Sequence, residues 1–194
     1  SRVTMGITET LTGYNPHADS VAVGYALWCQ VYGCLGIWDF KKAEYVGMLA
    51  ESWEIGPDGL VYTFHLRPDA KFHDGKSVTA GDFKWSIERA ANPDTASPVA
   101  DTYLNDIVGV QDVFDGLTTE ISGIKVVDYQ TLQLTIDAPK AYFLAKLTYP
   151  TAYVLDRENV DVGGRTWTDP DVIPMPTTGK AEAPGVICTT RRGR

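Results

Sequence analysis

The chain has 194 residues, of which 44% are hydrophobic, 11% aromatic and 22% charged. This balance is typical of a globular protein with its own core, and it excludes collagen-like, coiled-coil and disordered chains. The formal net charge of -8 repels a phosphate backbone, so we predict no nucleic-acid partner. No run approaches the roughly 20 apolar residues that a membrane-spanning helix needs.

The first 35 residues predict one strand and one helix. Val3, Met5 and Ile7 alternate with Thr and Gly, which indicates a strand with one buried face. Apolar residues then recur at intervals of four and three from Val21 to Leu35, so we expect an amphipathic helix over that range.

The three cysteines do not predict a disulfide or a metal site. On the expected helix, Cys29 and Cys34 would point about 140° apart, so they are more simply interpreted as buried thiols. Cys188 stands alone near the end of the chain, and no C-x-x-C spacing suggests zinc binding or redox work.

The middle of the chain predicts a hairpin and a capped helix. Residues 53–67 form two strand-like runs around the turn 57–59, with Tyr62, Phe64 and Leu66 on the buried face. The helix that follows has a recognisable N-terminal cap.

Thr79 and Asp82 have the spacing of a capping box, and Val78 and Phe83 that of a hydrophobic staple. Asn92-Pro93 should end this helix.

The next elements are a short helix, a second hairpin and a third helix. The short helix spans 107–114 and closes at Gly116, and the hairpin pairs 124–127 with 131–136. Pro139 is placed as the first residue of a helix that Pro150 stops. After about Asp169, closely spaced Pro and Gly leave no periodic run, so we expect an extended tail. This order favours an α+β or mixed α/β fold.

The sequence lacks the usual signatures of an enzyme. It has no G-x-S-x-G, H-E-x-x-H, Walker or G-x-G-x-x-G motif, so we predict no catalytic residues and no cofactor. His65 lies on the strand face opposite Tyr62, and His73-Asp74 is typical of a turn, so we predict no metal site. The many Tyr and Trp residues instead favour a binding surface.

One long stretch and three short ones are distinctive. The long stretch, from Leu49 to Ala90, reads LAESWEIGPDGLVYTFHLRPDAKFHDGKSVTAGDFKWSIERA. The short ones are YNPH at Tyr14, VYGCL at Val31 and ANPDTASPVADTYL from Ala91. Together they resemble the extracellular solute-binding proteins of the peptide and nickel class, family 5, which serve ABC importers, and they are nearest to the oligopeptide-binding subgroup.

This resemblance implies the N-terminal portion of a periplasmic-binding-protein type II-like fold. Residues 1–45 would form the opening strand and helix of a first lobe. Residues 46–169 would form a subdomain inserted into that lobe, and 170–194 a tail unrelated to the family. In the family, a ligand is held between two lobes that close on it. The second lobe would be absent here, so the chain alone should bind peptide weakly and should self-associate through apolar surface around Trp28, Tyr32 and Leu35.

The resemblance also implies the function and the ligand-contacting residues. The function would be capture of oligopeptides or a similar solute in the periplasm or outside the cell, for delivery to ABC permease subunits, without catalysis. Attachment to the cell surface by a lipid anchor ahead of Ser1 stays open. The residues matching cleft-facing family motifs are Tyr14, Asn15, Tyr32, Gly33, Leu35 and Tyr103.

Two departures from the family pattern widen the alternatives. Gly33 and Cys34 stand where the family reads Glu and Gly in "YEGL", which removes a carboxylate and weakens the preference for peptides. A nickel chelate, an oligosaccharide or a purely structural interaction role therefore stays open. The tail does not continue the family pattern after about Asp171, which we interpret as a shifted reading frame or a truncation.

Overall fold

The structure, a computed structural model, describes residues 15–18 and 22–163. The strand predicted at 3–8, Tyr14, Cys188 and the tail predicted at 170–194 lie outside the described residues. Among the described residues, no helix combines the length and the apolar character needed to cross a bilayer.

A four-stranded antiparallel sheet forms the centre of the fold, and the α+β prediction is confirmed. Its strands lie in the order β3, β4, β6, β5. They span Ala50–Ile55 (β3), Val61–Leu66 (β4), Ile124–Asp128 (β5) and Thr131–Thr135 (β6). Both predicted hairpins are therefore confirmed, and the pairing of β4 with β6 joins them into one sheet.

One face of this sheet is buried and the other is polar. Phe64 pairs with Leu132 and Tyr62 with Leu134, and all four side chains are buried. On the opposite face, Gln133 Nε2 donates to Thr63 Oγ1 over 3.1 Å. This alternation is the expected pattern of an antiparallel sheet with one solvated face.

Helix α2, Ala80–Ala91, packs against the sheet and begins at the predicted cap. The Thr79 hydroxyl accepts from the Asp82 N–H, and the Asp82 carboxylate accepts from the Thr79 N–H over 2.8 Å. Phe83 is fully buried and Val78 almost so. The capping box thus fixes where the helix begins, and α2 ends at Ala91, before Asn92-Pro93, as predicted.

The remaining elements are short and surround this core. The helices are α3 (Ala100–Leu104), α4 (Val110–Phe114), α5 (Phe143–Lys146) and α6 (Arg157–Gly163). A separate hairpin pairs β1 (Gly36–Asp39) with β2 (Glu44–Gly47), and the domain boundary predicted between residues 45 and 46 falls inside β2. The turn after α4 has Gly116 at φ +70°, a conformation that favours glycine.

The first helix is shorter than predicted. Helix α1 spans Ala22–Val31, and the chain leaves it before Tyr32 because Gly33 pairs with Val154 instead of continuing the helix. The shared-helix geometry predicted for the cysteines is therefore wrong. Cys29 is exposed, whereas Cys34 is buried and donates from Sγ to the Gly36 carbonyl.

The helix predicted from Pro139 is also wrong over most of its length. Helix α5 begins only at Phe143. Pro139 instead lies against Gly59 in the first hairpin turn, and Lys140 forms ion pairs with Asp106 and Asp137 over 2.6 and 2.7 Å. The contacts with Gly59 and Asp106 are long-range and lie where the predicted helix would have begun.

The expected apolar surface lies elsewhere. Trp28 and Leu35 are fully buried and Tyr32 is 6% exposed, so the predicted self-association through these three residues is wrong. Large exposed apolar side chains occur instead on the β1–β2 hairpin, where Trp38 is 42% and Phe40 89% exposed.

The cap of α2 gives a first testable prediction. Thr79→Ala should lower the free energy of unfolding by about 1 kcal/mol, because the Asp82 N–H loses the hydroxyl that accepts its hydrogen bond. Thr79→Ser keeps the hydroxyl and should stay close to the original stability. Denaturant titrations of both variants check this, and equal stability of the two would contradict the capping role.

Candidate functional site

Residues 153–155, which we call the strap, follow a short 3-10 turn at Pro150–Ala152 and are buried. Each strap residue bonds a different part of the chain: Tyr153 O to His17 Nε2 (3.0 Å), Val154 N to Gly33 O (2.9 Å) and Leu155 N to Ser86 Oγ (2.9 Å). The strap therefore joins the segment 15–18, the segment after α1 and helix α2.

The predicted residues Tyr32, Gly33 and Leu35 lie on the segment that the strap holds. The Tyr32 ring is tilted by 31° against the Tyr153 ring, with centroids 6.3 Å apart. Gly33 offers its carbonyl to the strap. Leu35 is a core residue whose carbonyl accepts from the N–H groups of both Met48 and Ala50.

Asn15 lies in a polar cluster beside this segment. Its Oδ1 accepts from the His17 N–H over 3.1 Å and from Arg89 Nη1 over 3.5 Å. Arg89 comes from the last turn of α2. Burial raises the pKa of the Tyr32 hydroxyl, and the positive charge of Arg89 opposes that shift, so this charge acts on Tyr32 as well.

His17 is fully buried between Arg89 and the strap. Arg89 Nη1 lies 3.1 Å from His17 Nδ1. Because a guanidinium only donates, Nδ1 accepts, and the proton sits on Nε2, which donates to the Tyr153 carbonyl. Burial, with help from the Arg89 charge, lowers the pKa of His17 to about 3, so the ring is neutral at physiological pH.

The predicted Tyr103 belongs to a row of aromatic rings on the other side of the 3-10 turn. Tyr103 is half-buried and stacks flat on Tyr149, with ring centroids 3.5 Å apart. Tyr149 meets Tyr25 edge to face at 5.0 Å, and Tyr25 meets the buried Trp28 at 5.5 Å. We call these four residues the aromatic row.

The Pro150–Ala152 turn brings the two groups of predicted residues together. Tyr149 precedes it and carries the contact to Tyr103, and Tyr153 follows it and carries the contact to Tyr32. Tyr32 and Tyr103 therefore contact the two ends of one turn, and Gly33, on the same segment as Leu35, bonds Val154 just after it. Asn15 connects to this turn through His17, which donates to the Tyr153 carbonyl. Tyr14 lies outside the described residues.

Sequence reasoning missed three residues that build this site. His17, Ser86 and Arg89 each bond a residue far away in the chain, so no local pattern marks them. The sequence gives a partial indication for Ser86 alone, because it lies on the same face of α2 as Phe83 and Ile87. A serine buried on that face needs a hydrogen-bond partner.

Buried polar atoms without partners occur beside the aromatic row. Within the described part of the chain, Tyr25 Oη, Trp28 Nε1 and Thr151 Oγ1 are buried and make no hydrogen bond. Burying such groups unpaired costs free energy.

The other histidine predictions fit the structure. His65 is half-exposed on the outer sheet face, 3.8 Å from the Glu54 carboxylate. Asp74 accepts from the Lys76 N–H in the predicted turn, which keeps the pKa of that carboxyl low. Residues 15–18 and 22–163 contain no group of three or more His, Cys, Asp or Glu placed to hold a metal ion. The absence of a metal stays a prediction.

Ser86 provides a test of the strap. Its hydroxyl donates to the Asp82 carbonyl and accepts from the Leu155 N–H. Ser86→Ala should cost about 1–3 kcal/mol of unfolding free energy, because the buried Leu155 N–H loses its partner. Ser97→Ala is the matched control, since Ser97 Oγ is buried without a hydrogen bond in the described residues. Similar stability of the two variants would contradict the role of Ser86.

His17 predicts a pH dependence. Its pKa is lower in the folded state, about 3 against 6.5, so its stabilising contribution is complete above 6.5 and is lost as the pH falls towards 3. Between about pH 7.5 and about pH 5 the chain should lose about 2 kcal/mol of stability through this residue. His17→Gln should remove that loss and His65→Gln should keep it, which denaturant titrations at the two pH values would measure. An unchanged loss in His17→Gln would show that another group is responsible.

Comparison with known proteins gives a family match. The model for bacterial extracellular solute-binding proteins, family 5 (middle region), matches residues 44–179, ten residues beyond the end predicted for the family region. The match includes all of the central sheet and the strap.

Two curated relatives and one solved structure illustrate the similarity. The chain is 40% identical over 126 residues to the periplasmic oligopeptide-binding protein OppA of Escherichia coli, which covers 63% of this chain and 23% of OppA. It is 30% identical over 139 residues to the probable deoxycholate-binding periplasmic protein YgiS of the same species, covering 70% of this chain and 26% of YgiS.

The solved structure is Haemophilus influenzae OppA in complex with the peptide RPPGFSPFR. It matches with a TM-score of 0.75 and 30% identity, covering 81% of this chain and 31% of that one. This chain thus spans about a quarter to a third of the length of the proteins it matches. By its sequence match and its fold, the chain belongs to the bacterial extracellular solute-binding proteins of family 5.

Proposed function

We propose that this chain is part of a binding protein that captures oligopeptides for an ABC importer and delivers them to permease subunits in the membrane. The observation that carries the proposal is the Pro150–Ala152 turn, which has Tyr153 in contact with Tyr32 after it and Tyr149 of the aromatic row before it. The relatives named above are solute-binding proteins rather than enzymes, and we propose no covalent chemistry here.

The ligand site that we propose is one wall of a cleft. Backbone groups near Gly33 would bond an extended ligand, and the Tyr103 ring would contact an apolar side chain of it. The buried core position of Leu35 makes it a support for this wall. The proposed site residues are Tyr14, Asn15, Tyr32, Gly33, Leu35 and Tyr103.

Charge supports a peptide over a metal chelate. The charge that acts on Tyr32 is the positive one of Arg89. A peptide brings carboxylate and carbonyl groups that suit a guanidinium, whereas a bare metal cation does not. Aromatic rings also bind apolar solutes such as the one named for YgiS, so deoxycholate is the second candidate.

The proposed arrangement of the longer protein follows the family. Residues 1–45 would open a first lobe, residues 46–169 would form its inserted subdomain, and 170–194 would lie outside it. Ligand capture would take place in the periplasm or outside the cell, and lipid anchoring is one way of holding the protein there.

Peptide binding by this chain alone should be weak. A pocket usually covers 70–90% of a small ligand, and one wall provides about half of that contact, so we expect a Kd in the millimolar range. Titration calorimetry and NMR with a pool of short peptides would measure it. Micromolar or tighter binding by a monomer would show that the whole site lies within these residues.

Two tyrosine variants test where the peptide binds, and deoxycholate tests which class of ligand the site prefers. Tyr103→Ala should abolish the remaining binding, whereas Tyr129→Ala removes a tyrosine that is 81% exposed at a distant hairpin turn and should not. Deoxycholate should not displace the peptides. Binding of deoxycholate in preference to peptides would favour the second candidate.

A further inference from the structure

Lys76 connects the turn before α2 to the residue that follows the strap. Its Nζ lies 3.4 Å from Asp156 Oδ2, and Asp156 comes directly after the strap residue Leu155. The same ammonium group pairs with Asp74 Oδ2 over 3.3 Å and with the Glu158 carboxylate. One cation therefore meets three carboxylates, one in its own turn, one beside the strap and one in α6.

Asp156 is the carboxylate of this group that is withdrawn from solvent. Its side chain is 6% exposed, whereas that of Glu158 is 77% exposed. Asp156 also accepts from the Glu158 N–H and from Asn159 Nδ2, which are both neighbours in sequence. The charged partner, Lys76, lies 80 residues earlier in the chain. Removing it would leave a nearly buried carboxylate without a counter-charge, which is strongly unfavourable.

A second partly buried carboxylate lies close to Asp156. Burial raises the pKa of the Asp82 carboxyl, the negative charge of Asp156 raises it further, and the positive charge of Lys76 lowers it. Asp82 and Asp156 therefore repel each other, and Lys76 offsets that repulsion. Asp82 is in the first turn of α2, the helix whose Ser86 accepts from the Leu155 N–H. Without Lys76, the repulsion would push the end of the strap away from α2.

The turn that carries Lys76 has a fixed backbone. The Lys76 N–H donates to Asp74 Oδ1 over 2.9 Å, and the Lys76 carbonyl accepts from the Phe72 N–H over 2.8 Å. The chain then continues into the capping box of α2 at Thr79. The ammonium group is therefore presented to Asp156 from an anchored position.

We propose that Lys76 is a positioning residue for the ligand wall, an inference that rests on the proposed function above. Lys76 holds Asp156, which keeps the strap in place so that the Val154 N–H stays bonded to the Gly33 carbonyl. That bond in turn fixes the segment of Gly33 and Tyr32. Lys76 acts on the wall through the strap, without touching the ligand.

Hydrogen exchange of single amides, followed by NMR in the full 194-residue chain, tests the first step. Lys76→Met keeps the length of the side chain and removes its charge. The Val154 N–H should then exchange at least about tenfold faster, because Asp156 loses its counter-charge. Lys76→Arg keeps the charge and should restore most of the protection. The amides of β4, in the middle of the sheet, report general stability and should change less than Val154.

Two further variants serve as controls. Lys84→Met removes a lysine that pairs with Glu88 over 3.5 Å and with Glu120 over 3.3 Å, and it should leave Val154 exchange unchanged. Glu158→Gln removes the exposed partner of Lys76 and should have a small effect, since exposed ion pairs contribute little. Circular dichroism checks that each variant keeps its fold.

Peptide titrations of the same variants separate this inference from the proposed function. At a peptide concentration near the Kd of the unaltered chain, Lys76→Met should lose most of the peptide-induced chemical-shift change of the Gly33 amide. Lys76→Arg and Lys84→Met should keep it. If the unaltered chain binds no peptide, the proposed function is wrong, whereas faster Val154 exchange in Lys76→Met still supports the positioning of Gly33 by Lys76.

Three outcomes would overturn the inference. Val154 exchange could be the same in Lys76→Met as in the unaltered chain, or it could increase equally in Lys84→Met or Glu158→Gln. It could also increase in step with the amides of β4, which would mean a general loss of stability. Lastly, Lys76→Met could expose Val154 and still bind peptide as the unaltered chain does, which would refute the link to the wall.

Discussion

The hydrogen bond from the Val154 N–H to the Gly33 carbonyl is the contact on which the arrangement of the site depends. It ends helix α1 at Val31 and places the strap against the segment 32–35. The neighbouring strap bonds to His17 and Ser86 then fix the position of that segment relative to α2. A single buried stretch with a long-range hydrogen bond at each of its three residues thus holds together elements from three distant parts of the chain.

The sequence predicted the elements whose signals are local. The cap of α2 depends on Thr79 and Asp82, three residues apart, and each hairpin on its own turn and alternating face. It failed where a distant partner overrides local preference. Pro139 is suited to the first turn of a helix, but it lies against Gly59 in the first hairpin turn and Lys140 pairs with the distant Asp106, and the helix begins only at Phe143.

The sequence likewise predicted some residues of the site but not the contacts that bring them together. The excess of aromatic residues indicated a binding surface, and the family resemblance singled out Tyr32, Gly33 and Tyr103. Neither could indicate that Tyr149 and Tyr153, on either side of one 3-10 turn, bring these residues together. The buried His17–Arg89 contact was likewise beyond sequence reasoning, because it depends on the end of α2 packing against residues 15–18.

The proposed ligand wall and the β1–β2 hairpin lie on one continuous stretch, with Leu35 between them. The Leu35 carbonyl accepts from both Met48 and Ala50, which fixes the base of the hairpin to the start of β3. On one side of this point, Gly33 is held by the strap. On the other side, Trp38 and Phe40 extend into solvent. Because Phe40 is 89% exposed and lies beyond this anchored point, loss of its ring in Phe40→Ser should leave weak peptide binding unaltered.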